Sequence, residues 1–278
     1  MKKGVLELET LVNRKYFPSQ PEIKQNTHLY QELKPAGGWY SQNIALFYQF
    51  TTNADTHTFL SLIPDGCFDI LFCCDTANPS AYLWTSPFYR TKQPEFRKNC
   101  QYFGIRFFPE QSIFRLNEAM ILLLAQQIPL TDVMNDVEPL IELIMSGKTF
   151  SERIKLFGDY LQQRQMEVTK DQSMVRFAID QIYLSRGTIN IHDLSTAVGF
   201  SEQHIRRKFE AYIGFSPKQF CQIVRFQNTL DMYLDSREEN LLNIIYENGY
   251  YDQAHFIKGF KKFIQLTPKQ YKKIFSDI

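Results

Sequence analysis

The order of apolar and polar positions divides the chain into two textures. Up to about Leu116 the apolar residues come in short aromatic and β-branched runs, punctuated by Pro and Gly. LSLIPDGCFDILFCC reads as strand, turn, strand, because Pro64-Asp65-Gly66 is good turn chemistry. Alternation after the turn puts Cys67, Asp69, Leu71 and Cys73 on one face and Phe68, Ile70, Phe72 and Cys74 on the other. ALFYQFTT, AYLWTSPFYR and QYFGIRFFP, the last stopped by Pro109, are further strand candidates. Short strands at this spacing predict a β-sandwich or small β-barrel over residues 1–116.

From Asn117 the texture changes. EAMILLLAQQI and EPLIELIMSG are helix-like in composition, and SERIKLFGDYLQQRQ spaces Ile154, Phe157 and Leu161 as an amphipathic helix does. Glu167 to Ser173 is polar and lacks a period, which places a boundary there. Residues 117–173 are therefore read as a helical linker or dimerisation segment, and 174–278 as an all-α domain. The helices of the linker would pair two chains into a homodimer or pack on their own sheet; apolar stripes at helical spacing fit both.

The C-terminal part repeats itself after about 50 residues. IHDLSTAVGFSEQHIRRKFEAYIGFSPKQF is followed by LLNIIYENGYYDQAHFIKGFKKFIQLTPKQY. Each copy reads as helix, tight turn, helix. Gly199 and Gly249 end the short first helices, because Gly tolerates the left-handed conformation of a sharp helix stop. Ser201 and Asp252 then cap the second helices. In the first copy Ile205, Phe209 and Tyr212 make an inward face, while Gln203, Arg206, Arg207 and Glu210 share the outward one. In the second, Phe256, Phe260 and Phe263 turn inward, and Gln253, Lys258, Lys261 and Lys262 lie on or near the outward surface. Ser216-Pro217 opens a long helix that joins the copies. Two helix-turn-helix units that each present Gln and basic residues have the chemistry needed to read a major groove: Arg pairs with guanine, Gln with adenine, and Lys with guanine or phosphate. The competing reading is a helical bundle with a solvated polar face; matched turn, cap and basic positions in two copies weigh against it.

Charge adds a little. The net charge of +1 conceals 14 Lys and Arg against 11 Asp and Glu after Ser173, and 17 against 19 before Met174. A mildly basic C-terminal part is compatible with nucleic acid without requiring it. At 44% hydrophobic and 22% charged residues, the composition is that of a globular protein. No apolar run is long enough for a membrane span, and the N-terminus has no apolar stretch behind its lysines, so a cytoplasmic location is expected. Five cysteines, an odd number, argue against a disulfide framework.

Across Met174 to Phe275 the chain resembles the AraC/XylS family of bacterial transcription regulators. The residues that carry the resemblance are Asp193-Leu194, Val198-Gly199-Phe200-Ser201, Arg207-Lys208-Phe209, Ser216-Pro217, Arg225, Gly249-Tyr250, and YYDQAHFIKGFKKF with Thr267-Pro268 and Tyr271. Gln265 stands where the family favours Gly, and Ile245 and Glu247 where it favours Ala. The resemblance implies a non-catalytic regulator, commonly an activator, whose partners are double-stranded DNA and RNA polymerase. It implies base-facing roles for Gln203, Arg206, Arg207, Gln253, Ala254 and Lys258. His255 would meet the DNA backbone or simply pack locally, and Lys261 and Lys262 would neighbour phosphates or form a solvated face.

The N-terminal part resembles, more loosely, the β-rich sensory domain of some AraC-type regulators, which implies a cupin-like barrel binding a small-molecule effector or dimerising. His28 and His57 stand without a His-x-His, so neither a metal nor another cofactor is expected. Arg106, mid-strand on the face of Gly104 and Phe108, needs an anion: a ligand carboxylate or, preferably, an internal acid such as Asp69. Cys67, Cys73, Cys74 and Cys100 lack C-x-x-C spacing and are read as buried structural cysteines rather than a thiol or metal sensor. The alternative for the whole chain is a small-molecule-binding or catalytic β-barrel whose helices are an interaction module; no phosphate loop, nucleophile elbow or paired carboxylates favour it.

Overall fold

The computed structural model describes residues 16–37, 39–53, 60–75, 77–92, 96–163, 168–235 and 241–275. His57, Glu167 at the expected boundary, and the N-terminal segment read for a leader lie outside the described residues. The N-terminal half runs α1 (Pro21–Gln25), β1 (His28–Leu33), β2 (Ile44–Thr51), β3 (Ser61–Leu62), β4 (Phe68–Cys73), β5 (Ser80–Thr85), β6 (Thr91–Lys92) and β7 (Gln101–Phe107). Then come α2 (Met120–Leu123), β8 (Gln127–Pro129), α3 (Leu130–Val133), α4 (Glu138–Ser146) and α5 (Phe150–Gln162).

The main sheet has six strands in the order β1-β2-β7-β4-β5-β8, every pair antiparallel. Its edges β1 and β8 do not bond to each other, so the sheet is open; the expected cupin-like barrel or sandwich is not formed. β3 and β6 make a separate two-stranded ribbon. Alternation and turn chemistry specify strands, whereas closure depends on strand tilt, stagger and edges able to meet. Here the edges are poor partners. The pairing of β1 slips between His28 and Gln31, beside Leu29 at φ 49°, and β8 is three residues long and ends at a proline.

Both faces of the open sheet are covered, so it buries its apolar surface without curling. One face carries Phe47, Phe68, Ile70, Phe72, Phe103, Ile105 and Phe107 in a core shared with Leu140 and Ile144 of α4 and Phe157 and Leu161 of α5. The other carries Tyr48, Phe50, Leu71, Cys73, Trp84 and Tyr102 under Ile23, Leu60, Leu62 and Phe96. Within 117–173 the expected run of helix is interrupted. EAMILLLAQQI yields only the four residues of α2, and then β8 adds to β5. Leu124 is extended and Ala125 has φ 58°, a break that lets the chain pair at the sheet edge against the helical propensity of its leucines.

The C-terminal half is all-α: α6 (Lys170–Leu184), α7 (Ile191–Val198), α8 (Glu202–Tyr212), α9 (Pro217–Asp235), α10 (Leu241–Glu247), α11 (Gln253–Ile264) and α12 (Pro268–Ile274). It packs firmly on the sheet half. Tyr16 stacks on Tyr183 with ring centroids 4.8 Å apart, and the Tyr183 hydroxyl donates to Glu110 at 3.0 Å. Gln227 of α9 accepts from the Ser19 amide and donates to the Pro64 carbonyl, at 2.9 and 2.8 Å. The Arg90 amide donates to the Phe263 carbonyl at 2.5 Å, and Gln25 donates to the Ile274 carbonyl at 2.7 Å.

Gln265 ends α11 in the left-handed conformation, at φ 64°. A residue with a Cβ pays roughly 1–2 kcal/mol there, part of which glycine returns through its floppier unfolded chain. Gln265→Gly is expected to stabilise the protein by about 0.5–1 kcal/mol, a rise of a few degrees at most in thermal melting. Its side-chain bond to the exposed Lys262 carbonyl, 3.0 Å, is replaceable by water. An unchanged or lowered melting temperature would contradict this.

Candidate DNA interface

The first unit is built by three local devices. Asn190 caps α7, accepting from the Asp193 amide at 2.8 Å. Gly199, at φ 76°, turns the chain and donates its amide to the Ser195 carbonyl at 2.9 Å. Ser201 caps α8, accepting from His204 at 3.3 Å. With the ends set, α8 buries Ile205 and Phe209 and leaves Tyr212 half-buried. Gln203, Arg206 and Arg207 are exposed together on the opposite side.

The second unit follows the same plan. Gly249 turns at φ 72°, and Asp252 caps α11 by accepting from the His255 amide at 2.7 Å. Phe256, Phe260, Phe263 and Ile264 are buried; Gln253, Ala254, His255, Lys258, Lys261 and Lys262 are exposed. Both exposed stripes start at a helix N-terminus, whose partial positive charge suits phosphate.

Several of these side chains have partners. Arg206 Nε donates to Glu210 Oε1 at 2.8 Å, one helical turn along α8. Lys262 Nζ reaches Gln222 Oε1 on α9 at 2.6 Å, so it leans away from the α11 stripe. His255 Nδ1 accepts from the Tyr251 amide at 3.3 Å, and its ring meets Tyr250 edge-on at 5.3 Å while the residue stays exposed. Tyr251, just before α11, is 85% exposed.

Arg225 has a role that helical spacing alone does not reveal. From the middle of α9, its Nη2 donates to the Gly187 carbonyl at 2.9 Å, and Nη1 lies 3.5 Å from the Gly249 carbonyl. One guanidinium thus ties the end of α6 in the first unit to the turn of the second. In the sequence it is a lone Arg in the run FCQIVRFQ and one of the residues that carry the family resemblance. Lys208 likewise ties α8 to α6 through Asp171.

Arg106 lies apart from these stripes. Its Nε and Nη2 bond Asp69 Oδ1 and Oδ2, each at 2.8 Å, and Asp65 Oδ2 is 3.9 Å from Nη1. Tyr48 donates its hydroxyl to Asp69 Oδ2 at 2.6 Å. Burial works to lower the pKa of Arg106, but the charges of Asp69 and Asp65 outweigh it and hold the value above the ordinary one. Gly104 leaves room for this cluster: a Cβ there would lie 2.1 Å from the Tyr48 ring. The guanidinium also borders a cleft of about 210 Å³ formed with Tyr30, Lys34, Phe17 and, from α9, Asp231.

A helix-turn-helix domain model matches residues 194–274, which include α8, α9 and α11. The C-terminal segment is a helix-turn-helix domain. It is related to HTH-type transcriptional regulators. An uncharacterised one from Haemophilus influenzae is 37% identical over 84 residues, 30% of this chain and 28% of that protein. One from Staphylococcus aureus is 32% identical over 84 residues, 30% of this chain and 11% of its own length. The helix-turn-helix domain is thus what the relatives share with this chain, which spans well under two thirds of either. Among solved structures, ToxT from Vibrio cholerae is similar at a TM-score of 0.41 and 11% identity, over 90% of this chain and 99% of that one. The C-terminal domain of AraT from Geobacillus stearothermophilus is similar at 0.35 and 21%, over 38% of this chain and 88% of that one. Among the described residues, no helix is long and apolar enough to cross a membrane.

Proposed function

We propose that this chain is a sequence-specific transcription regulator of the AraC/XylS type. In this reading α8 and α11 enter successive major-groove segments on one side of the duplex. The observation that carries the reading is the doubled unit: two glycine turns, two capped helices and two exposed stripes of Gln with basic residues, joined by one helix and pinned by Arg225. Gln203, Arg206, Arg207, Gln253 and Lys258 are the base readers, with Ala254 offering its methyl to thymine. His255 and Lys261 serve the backbone. The relatives' naming as transcriptional regulators supports a non-catalytic role.

The same reading divides the chain into a regulatory part over 1–116, a linker or dimerisation segment over 117–173 and the DNA-binding part over 174–278, working in the cytoplasm with RNA polymerase. A small-molecule effector would enter the cleft bordered by Arg106, where sheet and α9 meet.

The test is selection of bound duplexes from a random DNA pool. Two short enriched motifs about 10–10.5 base pairs apart, one helical turn, are expected. A single motif would reduce the second unit to a backbone clamp. No enrichment at low salt, with the folded protein, would overturn the reading.

A further inference from the structure

Cys73 ends β4 and Cys100 stands one residue before β7, and the pairing of these strands brings the two sulfurs to 2.9 Å. The backbone around them is held on several sides. The Cys74 amide donates to the Gln101 carbonyl at 2.8 Å, the Thr52 amide to the Cys100 carbonyl at 2.9 Å, and the Cys100 amide to Thr52 Oγ1 at 3.0 Å. Both are free thiols. A disulfide bond is about 2.05 Å long, so joining them needs a closure of about 0.9 Å. The other cysteines are elsewhere: Cys67 precedes β4 at its opposite end, Cys74 faces the other side of the sheet, and Cys221 is on α9.

The two sulfurs are not equivalent. The Cys100 thiol hydrogen-bonds Cys73, and with help from the Tyr102 hydroxyl and the charge of Arg97 it lowers the Cys73 pKa to about 6. Cys100, in turn, is pushed up by the same bond. The directions favour Cys73 as the sulfur that ionises first and Cys100 as the one that keeps its proton, the division of labour of an attacking and a resolving cysteine. Both residues are buried, Cys73 at 1% and Cys100 at 7% exposure, and the half-exposed Arg97–Asp75 pair, 3.5 Å apart, lies near enough to act on both thiols.

We propose that Cys73 and Cys100 are a reversible oxidation site for hydrogen peroxide. The Cys73 thiolate attacks one peroxide oxygen; the O–O bond breaks, Cys73 becomes a sulfenic acid, and hydroxide leaves and takes up the proton that Cys73 had released. Cys100 sulfur then attacks the sulfenic sulfur, the S–O bond breaks, and the leaving oxygen departs with the Cys100 proton as water. Two thiols and one peroxide give one disulfide and two waters. The disulfide would fasten β4 to the start of β7. This inference is independent of the DNA-binding reading.

The experiment treats the reduced full-length chain with hydrogen peroxide, then unfolds, alkylates and maps the peptides by mass spectrometry. The expected product links the Cys73 and Cys100 peptides, is lighter by two hydrogen atoms, and is reversed by dithiothreitol, while Cys67, Cys74 and Cys221 are alkylated. Equal alkylation of Cys73 and Cys100 with and without peroxide would overturn the proposal, as would a link to any other cysteine. A second arm uses Cys100→Ser with dimedone, which traps sulfenic acid. A dimedone adduct on Cys73 is expected in the variant and suppressed in the parent; a folded variant without it would overturn the assigned order of attack. If the variant does not fold, the peptide map of the parent chain still decides.

Discussion

Replacing Arg206 and Lys258 together by alanine is expected to cost most of the specific affinity for a selected duplex while leaving the fold intact. The two residues sit on α8 and α11, one in each unit, and both are exposed. A well-placed base contact is worth about 1–3 kcal/mol, so losing one in each unit costs about 2–6 kcal/mol, on the order of 10- to 10⁴-fold. Arg206 must first leave Glu210, 2.8 Å away, but an exposed pair of this kind is screened by solvent and contributes little. Substitutions at such surface positions usually change stability by less than about 0.5 kcal/mol, so thermal melting of the variant should match that of the parent. Lys261→Ala is the internal comparison: a phosphate contact weakens all duplexes about equally and lowers the salt slope by about 1. Titration by fluorescence anisotropy, with the selected duplex and a scrambled one at several salt concentrations, separates the cases. Unchanged discrimination in the folded double variant would remove α8 and α11 as readers.

Arg106→Ala is expected to be the most damaging single change in the sheet half. The guanidinium is 3% exposed and bonds Asp69 twice at 2.8 Å. Removing it leaves Asp69, 3% exposed, and Asp65, 2% exposed, without their buried cation. Breaking a buried pair from one side costs about 3–5 kcal/mol, because the remaining charge has neither water nor a counter-ion. For a chain of this size that is a fall of roughly 6–20 °C in melting temperature. The pH dependence gives a signature that a cavity alone would not. Burial already pushes the Asp65 carboxyl above the ordinary value, against the pull of Arg106. Without that pull the folded-state pKa rises further, so the folded state takes up a proton that the unfolded chain at the same pH does not. The penalty is therefore full at neutral pH and shrinks as the pH falls through the raised folded-state value. Denaturant melts of both proteins from neutral pH to about pH 5 should converge on acidification; a constant gap would mean that lost packing, not stranded charge, dominates.

The two halves differ in how much could be read before folding. In the helix-turn-helix domain the signals are local. Gly199 and Gly249 adopt the left-handed turn, and Ser201 and Asp252 accept the capping bonds, at the positions where the sequence places them. The inward faces of α8 and α11 follow because an apolar residue every three or four positions has one side on which to be buried. In the sheet half the strands and their faces were also legible: Asp69, Leu71 and Cys73 lie on one side of β4 and Phe68, Ile70 and Phe72 on the other. The barrel was not, since alternation is the same in an open sheet as in a closed one. Nor was β8, where sheet-edge pairing overrode the helical composition of EAMILLLAQQI.

By itself, then, the sequence determined strands β2–β5 and β7, the doubled helix-turn-helix plan, the caps and turns, and the stripe of Gln with basic residues on each second helix, because each depends on residues a few positions apart. Tertiary structure alone decided the open edges of the sheet, the meeting of Cys73 with Cys100, the staple of Arg225 between Gly187 and Gly249, and the seating of α9 on the sheet half through Gln227. It also brought Asp69 of β4 against Arg106 of β7. These features join residues tens to hundreds of positions apart, and no local propensity selects such a pair. Only the packing of whole elements, with the desolvation it imposes on each buried polar group, does so.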